Sequence, residues 1–275
     1  MTPGIPAPPL RLKTVPARRG WIWVRQGFRV FFAHPLAFTA LFAAFLFAAM
    51  LLLALPVVGW MLLLMSVPLL TLVFMMATAN VLAGKVPTPL LYVAPLKGGD
   101  ARRKRLLLQL GIAYALGTLF IATFADWADG GAMRALEDSL RIGNPDEVQI
   151  VLGQSDLRFG LLLRVALAAL LSVPFWHAPA LVWWGGQGFA QALFSSSVAC
   201  WRTRNALVLY GLGWSLLITL FGLLASVVFG LLGSREMIGV AALPAGLMFS
   251  TAFYASLYFI FVDTFETQPP AEPGT

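Results

Sequence analysis

Apolar residues in this chain come in runs far longer than a soluble core requires. Nearly uninterrupted hydrophobic stretches lie at about 36–55, 57–83, 106–125, 158–184, 205–232 and 237–262. Each reaches the length of about 20 residues that crosses roughly 30 Å of hydrocarbon. No water meets the backbone there, so each run is predicted as a helix that satisfies its own N–H and C=O groups. The chain reads as an all-α integral membrane protein, with six transmembrane helices in one domain over residues 18–265.

Punctuation between the runs supports this division. Pro35 suits a helix start, where its missing N–H costs nothing. Pro56 and Gly59 predict a tight hairpin between the first two spans, and residues 233–236 a short turn between the last two. Pro68, inside the second span, predicts a kink.

Residues 158–204 admit two threadings. In one, 158–184 is a single long helix and 187–204 lies at the interface. In the other, 178–200 is an extra span, which would carry Arg202 and Arg204 to the outside. Lys and Arg concentrate in cytoplasmic loops, which favours the first threading.

Two stretches have helical periodicity with a polar face. In 18–33, Trp21, Val24, Phe28, Phe31 and Phe32 share a side opposite Arg18, Arg25, Gln26 and Arg29. This pattern predicts an amphipathic interfacial helix, as does 187–204. Gln26-Gly27-Phe28 precedes an aromatic interfacial stretch and a two-span hairpin, and Gln187-Gly188-Phe189 a second connector and a second hairpin, a faint internal echo.

Composition agrees with the pattern. The chain has 275 residues, 59% hydrophobic and 11% charged, against roughly 25% charged in a soluble domain. The net charge of +7 is unevenly spread. Basic residues gather at 11–29 and at 97–105, where Arg102, Arg103, Lys104 and Arg105 form a run. The acidic residues of 126–157, among them Asp126, Asp129 and Asp156, mark the opposite side. Both termini are therefore expected in the cytoplasm of a bacterial inner-membrane protein. Arg18, Arg25, Arg29 and the 102–105 run are candidate contacts for anionic lipid headgroups. Membrane lipids are the expected partner, and nucleic acid is not.

The proline-rich residues 1–17 and the segment 266–275 read as disordered tails. Within 126–157, residues 132–141 and a segment from Asp146 predict short helices around an Asn144-Pro145 turn.

Little of the sequence points to chemistry. One cysteine, Cys200, excludes a disulfide framework, and two histidines give no His-rich metal site. No phosphate-binding loop, hydrolase elbow or zinc-protease motif is present. No cofactor, metal or catalytic residue is assigned. An ionisable residue inside a span is a candidate functional group by default. Arg164, two turns into the fourth run, is the clearest case, with Asp126 and Asp156 as possible partners. His177 lies near the other end of that run beside Trp176, Trp183 and Trp184, where an aromatic belt is expected.

The run Leu12-Lys13-Thr14-Val15-Pro16-Ala17-Arg18-Arg19-Gly20-Trp21 carries a resemblance, together with Gly27-Phe28, Pro35-Leu36, Pro87-Thr88-Pro89 and residues 102–105. Through these the chain resembles a family of uncharacterised bacterial six-span inner-membrane proteins. In architecture alone it is similar to membrane domains found beside some glycerophosphodiesterases. The resemblance implies a location and a topology and supplies no catalytic residues. The expected role is non-enzymatic, in transport or lipid handling. The alternatives are a membrane scaffold for other proteins or, further off, an enzyme working at the membrane face.

Overall fold

The computed structural model describes residues 10–56, 58–98, 100–143, 145–234 and 237–267. In chain order the helices are α1 (Arg19–Ala33), α2 (Pro35–Leu53), α3 (Gly59–Leu82), α4 (Ala94–Gly98), α5 (Ala101–Ala128), α6 (Ala132–Ile142) and α7 (Pro145–Gly153). There follow α8 (Ser155–Phe175), α9 (Ala178–Trp183), α10 (Phe189–Arg202), α11 (Arg204–Leu231) and α12 (Met237–Thr264). Two short strands, β1 (Leu10–Leu12) and β2 (Phe265–Thr267), flank them. Six helical stretches are long and apolar enough to cross a membrane: α2, α3, α5, α8 running on through α9, α11 and α12. The six-span reading holds.

The spans differ in how much protein surrounds them. Half (50%) of the apolar window of α12 is buried and 44% of that of α3, against 6% for α8–α9 and 11% for α11. α3 and α12 thus form the centre, while α8 and α11 turn mostly apolar outer faces to the bilayer. Phe38, Phe42, Phe74 and Tyr254 stack where α2, α3 and α12 meet. The buried Thr78 hydroxyl donates to the Ala255 carbonyl at 3.0 Å, tying α3 to α12.

α1 is sunk between α11 and α12, and its buried face takes in Val24, Phe31 and part of Phe28 from the predicted aromatic side, together with Trp23. Gly20, Trp23, Val24, Gly27, Val30 and Phe31 are buried, whereas Trp21 and Phe32 are 47% and 62% exposed. A Cβ on Gly20 would fall 2.1 Å from the Ala206 carbonyl oxygen, and one on Gly27 2.4 Å from that of Ala252. Backbone-to-backbone contact selects small residues at these two points, so the packed face is rotated from the aromatic one and leaves Trp21 and Phe32 outside. Arg25 and Arg29 are exposed, as the periodicity predicts.

The tails also differ from expectation. β1 pairs antiparallel with β2, Arg11 opposite Glu266. The Lys13 N–H donates to the Thr264 carbonyl at 2.9 Å. Below this clasp, Asp263 accepts from Arg19 Nε at 2.7 Å and from Trp23 Nε1 at 2.6 Å. Residues 10–17 and 265–267 are therefore ordered by pairing across the chain, a contact no local pattern encodes. The remainder of the predicted tails, 1–9 and 268–275, lies outside the described residues. The clasp sets both ends of the described chain at one end of the bundle, which we call the basic end.

Three further boundaries move. α5 begins at Ala101, so the basic run lies within its first turns. Asp100 caps that helix by accepting from the Arg103 N–H at 2.6 Å. The predicted long helix 158–184 breaks after Phe175, and α9 continues it as a short buried segment against α3 and α5. The echo between 26–28 and 187–189 has no structural counterpart: Gly27 sits mid-helix in close contact with α12, while Gly188 is the extended cap of α10. The short helices between α5 and α8 form as read, although Asn144, like Arg235 and Glu236 of the last turn, lies outside the described residues.

Candidate functional site

Charged residues meet at the end of the bundle away from the clasp. α5 stops at Ala128, and Gly130 and Gly131 turn the chain with positive φ. Asp126 and Asp129, three residues apart, share a helix face directed at α8. Arg164 Nη1 donates to Asp129 Oδ2 at 2.6 Å, and Arg164 Nη2 donates to Asp126 Oδ1. Arg134 Nε, from α6, donates to Asp126 Oδ2 at 2.9 Å. The Asp129 side chain is fully buried, in space left by Gly160, where a Cβ would lie 2.2 Å from Asp129 Oδ2. Burial alone raises the Asp129 carboxyl pKa. The bonds from Arg164 and from the Gly131 N–H outweigh that and hold it below its ordinary value.

Of the residues singled out in the sequence, this brings Arg164 and Asp126 together. Asp156 stays apart, its only side-chain bond among the described residues being from Ser155 Oγ at 3.4 Å. Asp129 completes the cluster, and its three-residue spacing from Asp126 was the available signal. None of the three cavities described below is lined by Arg164.

His177 lies thirteen residues further along, about 20 Å away at 1.5 Å per residue. It belongs to the core rather than to an aromatic belt: it is fully buried, its ring edge-on to Phe265 at 5.3 Å between centroids. The backbone N–H of His177 donates to Ser196 Oγ at 3.0 Å. Neither ring nitrogen has a hydrogen-bond partner among the described residues. Arg164 and His177 thus form no common site.

Space for a ligand lies elsewhere. A groove of about 470 Å³ runs between α8, α10 and α11, with Phe253 of α12 at its back. Ala169, Val173, Trp176, Leu207, Val208, Gly211 and Trp214 line it, and Arg204 stands at one end. A Cβ on Gly211 would meet nothing within 4 Å, so the wall is open there. Cys200 also faces the groove. Burial pushes its thiol up to about 12, the Ser196 hydroxyl offsetting part of the rise. A chamber of about 190 Å³ adjoins through Ser172, Trp176 and Phe253, and carries Thr71, Tyr114 and Tyr254. On the opposite side of α11, a second groove of about 400 Å³ lies between α1, α11 and α12, lined by Trp21, Val24, Arg25, Phe28, Leu217 and Phe249.

Each groove pairs an apolar trough with one arginine and one exposed tryptophan. The Arg204 guanidinium carbon lies 5.0 Å over the Trp201 ring, and Trp201 is 71% exposed. In the second groove Arg25 accompanies Trp21. The other cationic candidates gather at the same basic end. Arg103 stacks over Trp183 at 5.8 Å, while Arg18, Arg29, Arg102, Lys104 and Arg105 are exposed. The sequence reading missed the grooves, because lining by Ala, Val, Leu and Trp is indistinguishable from any lipid-facing run.

No family model matches the chain, and no solved structure matches it. Over 272 residues the chain is 31% identical to a Burkholderia thailandensis protein named as a "probable inner membrane protein". The alignment covers 96% of this chain and 97% of that protein.

Proposed function

The chain belongs to the family of that Burkholderia thailandensis inner membrane protein, and from this premise we propose that it handles lipid by seating an acyl chain in the groove between α8, α10 and α11. The carrying observation is the lining of that groove. It is almost wholly hydrocarbon and aromatic, interrupted by Ser172, Ser197 and Cys200 and ending at Arg204, and it lies between two helices whose outer faces are apolar and exposed. An aqueous transport path would need converging polar groups at mid-depth; the ionisable cluster of Arg164, Asp126 and Asp129 is closed on itself, and the hydroxyls of Thr71, Tyr114, Ser172 and Tyr254 share a chamber of only about 190 Å³.

In this reading the basic end faces the cytoplasm, where Lys and Arg accumulate. Arg18, Arg25, Arg29 and Arg102, Arg103, Lys104 and Arg105 rest against anionic headgroups, each contributing about 1 kcal/mol of attraction.

Lipid extracted from purified protein tests the reading. Ala169→Trp combined with Gly211→Trp fills the groove without touching its arginine. The expected result is a several-fold loss of phospholipid retained per protein after detergent exchange. Equal retention by the wild type and the filled variant overturns the proposal.

A further inference from the structure

We propose that the occupant of the groove is an anionic glycerophospholipid whose phosphate is held by Arg204. This rests on the acyl-chain reading above and adds the headgroup class and the residue that selects it.

The first argument is length. Arg204 opens α11 and Trp214 lies ten residues on, about 15 Å at 1.5 Å per residue. One leaflet of a hydrocarbon core about 30 Å thick has that depth. A chain whose headgroup sits at Arg204 therefore ends beside Trp214 and Phe253, which also line the groove.

The second argument is the state of the guanidinium. Arg19, Arg134 and Arg164 are each held by a carboxylate, whereas none of the ion pairs among the described residues includes Arg204. One Arg204 N–H donates to the Trp201 carbonyl at 3.1 Å. A guanidinium carries five N–H donors in a planar fork that matches phosphate oxygens. A cation–π contact keeps the guanidinium beside the Trp201 ring, and an exposed indole suits the headgroup layer. A neutral lipid tail or an apolar helix of another protein would leave this charge unused at the mouth of the groove.

The test uses full-length protein in vesicles with a photo-cross-linking residue in place of Val208, which lines the groove and is 61% exposed. Vesicles contain either phosphatidylcholine alone or an equal mixture of phosphatidylcholine and phosphatidylglycerol. Cross-linked lipid is identified by mass spectrometry. The expected result is at least fivefold more phosphatidylglycerol than phosphatidylcholine adduct in the mixture. Arg204→Gln should bring the ratio to near unity while total adduct persists, and Arg204→Lys should restore part of it. Gly211→Trp should reduce both adducts. Equal adducts in the wild type, or a preference untouched by Arg204→Gln, overturn the headgroup assignment and leave the acyl-chain reading standing. If the cross-link joins a second copy of the chain or another protein and no lipid, both fall.

Discussion

At the scale of single residues, the decisive arrangement is a carboxylate with no exposure to solvent beside an arginine that can reach it. Removing one partner strands the other. Arg164→Gln leaves Asp129 buried without its countercharge, so the variant should be destabilised toward the lower end of the roughly 3–5 kcal/mol typical of a broken buried pair, since the Arg164 side chain keeps 19% exposure. Thermal unfolding in detergent measures this. The pH dependence follows from the same contact. The Asp129 pKa is lower folded than unfolded, so its contribution is complete above the ordinary carboxylate value of about 4 and disappears as pH falls through the folded value below that. Wild-type stability should drop in this acid window, and Asp129→Asn should flatten that part of the curve. An unchanged curve would show that the contact does not form. Arg164 was legible from sequence because an ionisable residue in an apolar run stands out. Its partners were only partly so, because Asp126 and Asp156 are equally acidic on paper and only α5's end geometry selects Asp126 with Asp129. Trp23 was not legible at all: its indole bond to Asp263 joins residues 240 positions apart.

At the scale of elements, the six spans follow from composition and length. Their packing does not. α1 shows why: Gly20 and Gly27 touch neighbouring backbone and Trp23 and Phe31 are buried, yet Trp21 and Phe32 of the same helix face outward. Gly27→Val places a side chain inside contact distance of Ala252, so α1 must lift from α12. Overpacking of this kind costs about 1–3 kcal/mol, and the unfolding temperature should fall accordingly. Gly211→Ala, inside α11 on a face with open space, serves as the matched control and should leave stability unchanged or raise it by up to about 1 kcal/mol. If both substitutions behave alike, the close seat of α1 is wrong. The break between α8 and α9 belongs to this scale too. Pro174, His177 and Pro179 announce an interruption in the sequence, but only the contacts with α3 and α5 show that the interrupted piece turns into the core.

At the scale of the whole molecule, six spans and a β1–β2 clasp agree that both ends of the chain share one side. Reporter fusions after Gly143 and after Thr203 check this directly. The expected outcome is an external signal at Gly143 and a cytoplasmic one at Thr203 and at the C-terminus. An external signal at Thr203 would require an additional crossing between them. In the sequence an even number of apolar runs already puts both ends on one side, but the clasp could not be anticipated, because pairing of distant short strands leaves no periodic trace.

The clasp also dictates an order of assembly. α1 is among the first segments to leave the ribosome, and the residue that receives Arg19 lies 244 positions later. At about 5–20 residues per second, α1 waits roughly 12–50 s for its seat to be made. Within that interval Gly20 can meet Ala206 once α11 is made, whereas Gly27 has no partner until α12 brings Ala252. The seat of α1 is therefore finished only when α12 arrives, with Ala252 against Gly27 and Asp263 against Arg19.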